Sequence, residues 1–205
     1  MGFVFYIMGK SASGKDTLYR KLLAAGEPAF ATLIPWTTRP MRAGEENGRE
    51  YMFTDQAGLE KLRQAGRVIE ERVYMTCHGP WHYFTADDGS VDPDREDILL
   101  TGTLESFCAV RDYYGRDRVV PLYIEVEDGE RLQRALNRER AEEKPRYEEM
   151  CRRFLADAED FGEEKIRKAG IRRRFCNDDP DRCLTEIREY IMEVQKRGGN
   201  GYGGI

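Results

Sequence analysis

The chain opens on Phe3-Val4-Phe5-Tyr6-Ile7-Met8, an unbroken apolar run of strand-forming residues that ends at Gly9. A run that is apolar on both faces of the pleat marks a strand buried within a parallel sheet. From Lys15 the period changes. Leu18, Leu22 and Leu23 recur at helical spacing until Gly26, which predicts a helix over 15–25 with glycine as its stop. Ile98-Leu99-Leu100 and the segment 119–126 repeat the buried-strand pattern, and 104–114, closed by Gly115, repeats the helical one. Beyond them the spacing predicts a charged helix over 128–143, a break at Pro145 and a second helix over about 146–168. A short strand over 171–176 and a last helix from Pro180 to about 196 complete the pattern. Strands alternating with helices predict an α/β fold with a central parallel sheet covered on both faces.

The stretch 37–88 breaks that rhythm. It is rich in glycine, aromatics and short alternating runs such as 67–73, with one helix expected near 55–65, and reads as a small mixed insertion over the sheet's edge. The tail from 197 to 205 is glycine-rich and too polar to order itself. The remainder, 1–196, is expected to form a single domain: a core of 1–36 and 89–196 carrying the insertion.

Composition narrows the class. At 205 residues the chain can bury one substantial core, and its 40% hydrophobic share excludes overall disorder. No stretch approaches the roughly 20 apolar residues of a spanning helix, and residues 1–8 lack the cationic flank of a secretory signal. A cytoplasmic protein without a membrane partner is expected. Five scattered cysteines, with no pair spaced for zinc, read as reduced thiols. Cys77, His78 and His82 lack a fourth ligand at a recognised spacing and read as loop packing. Net charge is −5, from 33 basic and 38 acidic residues. The run Arg172-Arg173-Arg174 is read as a solvated or nucleotide-facing strand rather than a nucleic-acid surface.

Gly9-Lys10-Ser11-Ala12-Ser13-Gly14-Lys15 is a P-loop in its required place between strand and helix. Glycines let the backbone bend so that several N–H groups point at phosphate oxygens, helped by the positive end of the following helix, and Lys15 reaches the outer phosphates. The position after Lys15 is Asp16, where a hydroxyl residue usually meets Mg²⁺. Two readings stand: Asp16 helps hold Mg²⁺ directly or through water, or it complements the helix dipole while Thr17 supplies the hydroxyl.

Thr37-Thr38-Arg39-Pro40-Met41-Arg42, followed by Gly44-Glu45 and Tyr51-Met52-Phe53, places two guanidinium forks where a second phosphate could be held bidentately. This run resembles the monophosphate-binding segment of guanylate kinases, and the resemblance extends in order over about 3–195. It implies a three-layer P-loop NTPase fold with an inserted mixed α/β nucleotide-binding region and a helical lid over about 131–153. It implies reversible, Mg²⁺-assisted phosphoryl transfer from ATP to GMP, and to dGMP as a further acceptor. Arg39, Arg42, Tyr51 and Tyr83 would hold the acceptor phosphate, while Glu70, Thr85 and Thr103 would meet the base. Gly9 to Thr17 would hold ATP with Asn177 beside its adenine, and Lys15, Arg39, Arg138 and Arg153 would carry the transfer.

A carboxylate at Glu70 accepts both N–H donors of guanine, whereas adenine presents an acceptor there. Two departures bear on function. A serine that touches guanine in the family is Pro35 here, which has no donor. The acids expected after the central strand are replaced by Thr101-Gly102-Thr103-Leu104-Glu105, leaving Asp16 or Glu105 to compensate. The competing readings are a kinase for another phosphorylated acceptor such as ribose bisphosphate, a non-catalytic guanylate-kinase-like binding module, and an NTPase acting on a macromolecule.

Overall fold

The computed structural model describes residues 1–42, 44–49, 51–76 and 79–198. The first strand, β1 (Val4–Met8), leads through the glycine-rich turn into α1 (Lys15–Ala25), which ends at Gly26 in the left-handed conformation at φ 69°. Three further strands, β6 (Ile98–Gly102), β7 (Val119–Glu125) and β8 (Arg174–Cys176), join β1 in a parallel sheet of order β6-β1-β7-β8. Between β1 and β6 lies a second sheet, β3-β2-β5-β4, made of β2 (Trp36–Thr37), β3 (Met52–Phe53), β4 (Val68–Thr76) and β5 (Gly79–Ala86). Its β2–β3 pair is parallel and its other pairs are antiparallel, the mixed insertion expected over 37–88.

Alternation along β1 builds the layers. Val4, Tyr6 and Met8 face a core completed by Leu104, Phe107 and Val110 of α3 (Leu104–Tyr114) and by Ile166 of α6 (Glu163–Lys168). Phe5 and Ile7 face the other way, onto Leu18 and Leu22 of α1 and onto Cys183, Ile187, Ile191 and Val194 of α7 (Pro180–Gly198). The strand is buried on both faces, as its unbroken apolar run requires. Burial pushes the Cys183 thiol up to about 12, so it behaves as a small apolar side chain. The insertion has its own small core of Leu59, Phe84 and Ala86, with Leu59 carried by α2 (Gln56–Gln64). Ile69 reaches from β4 into the larger core and keys the insertion to it.

Four boundaries differ from the sequence pattern. The helix expected over 146–168 is two helices, α5 (Tyr147–Asp160) and α6, because Gly162 takes an extended ψ of 144° and Phe161 turns inward to stack on Tyr123 at 5.8 Å. The helix expected over 128–143 is α4 (Asp128–Ala141), since Glu142 is already extended. The strand over 171–176 shortens to Arg174–Cys176, and the last helix runs to Gly198. The tail from residue 199 lies outside the described residues.

Candidate active site

The P-loop geometry follows from two tight glycine positions. A Cβ on Gly9 would sit 2.5 Å from the Ile124 carbonyl oxygen of β7, and Gly14 holds φ 85° with Asn177 Nδ2 2.3 Å from where its Cβ would be. A side chain at position 9 would have to move backbone, and one at position 14 would both strain the positive φ and displace the Asn177 amide. Gly14 offers no side chain to cap α1, so the Lys15 and Asp16 N–H groups at its start remain available to an anion. Lys15 Nζ lies 3.0 Å from Asp16 Oδ1, and the Asp16 side chain is 72% exposed. Asp16 therefore sits where an incoming cation would compete with Lys15 for its carboxylate, and where phosphates would compete with it for Lys15.

Asn177 is placed differently from expectation. It is 2% exposed, its amide donates to the Ser13 carbonyl at 2.7 Å and its backbone N–H to the Glu125 carbonyl at 2.9 Å. It braces the loop from below and presents no surface to adenine. The loop is also tied to the two helices that follow β7. The Ser11 N–H donates to Asp157 of α5 at 2.8 Å, while Arg131 of α4 donates to the Ser11 carbonyl at 2.9 Å. Arg131 is buried, stacks on Phe154 at 4.5 Å and pairs with both Asp128 and Asp157. Arg138 and Arg153, the two arginines expected over the moving phosphate, are exposed on these same helices. Among the described residues no hydrogen bond or ion pair joins either of them to the P-loop; Arg131 is the arginine that reaches it.

On the insertion, local bonding explains the Thr-Thr-Arg run. The buried Thr37 hydroxyl donates to the His82 carbonyl at 2.9 Å and accepts the Arg39 N–H at 3.2 Å, fixing Arg39 beside β5. Arg39 is 4% exposed. Its guanidinium lies over Tyr51 at 5.2 Å and Phe53 at 5.3 Å and forks onto Glu45, donating at 2.7 Å to one oxygen. Those hydrogen bonds hold the Glu45 carboxyl down at about 2. Tyr51 and Tyr83 meet edge to face at 5.7 Å, so Arg39, Tyr51 and Tyr83 form one group. Arg42 is exposed at its rim.

The β4–β5 register sets Glu70 opposite Thr85, Arg72 opposite Tyr83 and Tyr74 opposite Trp81. Period-two alternation puts all six on one face, and they line a cavity of about 610 Å³ closed by the main sheet's Tyr6 and Thr101. The Thr85 hydroxyl donates to Glu70 at 2.9 Å. Glu71 instead takes Arg63 and His82 as partners, and Arg63 holds its carboxyl below the usual range against the opposing effect of burial. Pro35 lines the cavity. Thr103 does not: its hydroxyl caps α3, accepting the Ser106 N–H at 3.2 Å, and with Glu105 it opens on an adjoining cavity.

One of the weaker groupings is resolved by packing. Arg173 lies over Tyr190 at 4.4 Å, and Arg174 pairs with Glu125 and Glu163. Cys77 and His78 lie outside the described residues, among which no group of three potential metal ligands occurs and no helix is long and apolar enough to cross a membrane.

The guanylate kinase family model matches residues 4–78. The guanylate kinase of Symbiobacterium thermophilum is 30% identical over 197 residues, covering 96% of this chain and 87% of its relative. This chain belongs to the guanylate kinase family. It is accordingly an enzyme, a phosphotransferase of the nucleoside monophosphate kinase class. The Bordetella pertussis guanylate kinase is 39% identical over 101 residues, 48% of this chain and 45% of that protein. Similarity of fold extends to the crystal structure of the guanylate kinase from Anaplasma phagocytophilum, with a TM-score of 0.57 and 21% identity over 95% of this chain and 86% of that one.

Sequence reading missed Arg131, Asp157, Glu45 and Arg72. The three-residue spacing of Asp128 and Arg131 on a helix was a signal for one pair. The link from Asp157 to Ser11 spans 146 positions and has no local trace.

Proposed function

We propose that the chain transfers the γ-phosphoryl group of ATP to GMP, reversibly and with Mg²⁺, and accepts dGMP as well. The observation that carries this reading is Glu70, a carboxylate held by Thr85 on the wall of an aromatic cavity. Guanine's Watson–Crick edge brings two donors to such a carboxylate, and the tyrosines and Trp81 supply faces for the ring.

In this reading Lys15 and the loop amides hold the donor phosphates, while Arg39, Arg42, Tyr51 and Tyr83 hold the acceptor phosphate. Arg138 and Arg153 reach the moving group as the two helices close, and exclusion of water protects ATP from hydrolysis. Closure also has to release Asp157 from Ser11, since that N–H belongs to the phosphate-binding loop. An exposed carboxylate beside the loop fits Mg²⁺, which keeps several waters and takes its other ligands from nucleotide phosphates. Asp16 would hold it, and the ion would neutralise charge between the two phosphates.

A coupled assay with ATP against GMP, dGMP, AMP, UMP and ribose bisphosphate tests the proposal. Turnover confined to GMP and dGMP is the expected result. Turnover of the bisphosphate, or ATP hydrolysis without any acceptor, would replace it.

A further inference from the structure

The cavity that contains Glu70 also contains a cation. Arg72, two residues along the same strand and therefore on the same face, lies with Nε 3.3 Å from Glu70 Oε2 and an Nη2 contact of 3.4 Å to Oε1. These are long, edge-on contacts. No hydrogen bond or ion pair occupies Nη1 among the described residues, and the Arg72 side chain is 43% exposed toward the cavity it lines.

Guanine's hydrogen-bonding edge has three adjacent groups: the 2-amino and N1–H donors, which a carboxylate takes, and the O6 carbonyl next to N1–H, which requires a donor. Other donors line the cavity, the hydroxyls of Tyr51, Tyr74, Tyr83 and Thr101 among them, but Arg72 is the cation among its described lining residues and is itself paired with Glu70. Pro35 has no donor. The Thr85 hydroxyl is committed to Glu70. Arg72 stands beside the carboxylate with an edge to spare.

We infer that Arg72 reads guanine O6, so that Glu70 and Arg72 together match the acceptor–donor order of the guanine edge. This rests on GMP being the acceptor. The arrangement opposes adenine twice: adenine would set N1, an acceptor, against Glu70 and its 6-amino group, a donor, against the guanidinium. It also supplies the contact that Pro35 cannot make. Arg72 is thereby a specificity-determining residue of this chain.

The probe is 6-thio-GMP, which keeps both donors for Glu70 but carries a weak acceptor at position 6. Wild-type enzyme is expected to prefer GMP over 6-thio-GMP in kcat/KM. Arg72→Met is expected to lose about 30-fold in kcat/KM for GMP, mostly through KM, as a charged hydrogen bond is removed. The same variant should treat the two nucleotides alike, with KM for ATP unchanged as the check on folding, and Arg72→Lys should retain part of the preference. A preference for GMP that survives in Arg72→Met, or an equal loss toward both nucleotides, overturns the inference while leaving GMP as substrate. Absence of GMP phosphorylation by the wild type overturns the proposed function itself, and the inference with it.

Discussion

The two regions proposed to bind phosphate are built by opposite means. On the donor side the loop between β1 and α1 works through backbone: two glycines pressed against β7 and Asn177, and N–H groups at a helix start. On the acceptor side the work falls to side chains, with Arg39 clamped among Tyr51, Phe53 and Glu45, and Glu70 bound to Thr85 across two antiparallel strands. A backbone cradle tolerates little change of shape but reads no base. A side-chain clasp can be retuned residue by residue, and Pro35 and Thr101, where the sequence departs from the family pattern, both lie on the wall of one cavity. Phosphate chemistry and base choice are thus separable in the structure, and substitutions on the two sides should show different signatures.

The largest effect belongs to Lys15. In the proposed transfer its charge meets the donor phosphates, so Lys15→Ala should cost on the order of 3 kcal/mol or more of transition-state stabilisation, read as a fall in kcat with every acceptor. Next is Gly14→Ala. At φ 85°, with Asn177 Nδ2 2.3 Å from the new methyl, the strain of about 1–3 kcal/mol should appear as a lower melting temperature and weaker ATP binding, with acceptor preference intact. A Gly14→Ala enzyme that changed its acceptor preference would show that the two sides are not separable.

The smallest effect sharpens the acceptor side. Hydrogen bonds from Arg39 depress the Glu45 carboxyl from an ordinary 4.5 to about 2. A depressed carboxyl stabilises the fold above its unfolded value and loses that contribution as pH falls from about 4.5 through about 2. A carbon-13 titration of Glu45 should accordingly show a midpoint near the lower value, and Glu45→Gln should raise KM for GMP about threefold, the scale of a partly exposed ion pair, without altering KM for ATP. A midpoint near 4.5 would mean that the Arg39 clasp does not persist in solution.

The same contrast decides what could be read from the sequence. Residues 3–26 declared strand, cradle and helix because each element is set by neighbours a few positions away, and the observed bounds Val4–Met8 and Lys15–Ala25 match that pattern. Arg39, Tyr51 and Glu70 were legible only through the guanylate kinase resemblance, since their grouping depends on strand pairing between β2, β3, β5 and β4. Alternation did separate Glu70 from Glu71 onto opposite faces, but not which face held the cavity; the register with Thr85 supplies that. The burial of Asn177 under the loop was not legible, because a buried amide under a loop and an exposed one beside a base look identical in sequence. The single helix expected over 146–168 failed for a comparable reason: the inward turn of Phe161 onto Tyr123 is a tertiary event.

Glu70 carries the central claim, and one comparison tests it directly: kcat/KM for GMP and for AMP, measured with wild type and Glu70→Gln. The wild type should favour GMP by about 10⁴-fold or more, since a site built to bond the guanine donors leaves its own groups unpaired with adenine. Glu70→Gln should shrink that ratio by about two orders of magnitude, consistent with the loss of charged hydrogen bonds, with KM for ATP unchanged. A GMP-to-AMP ratio that is the same in wild type and variant would contradict the account.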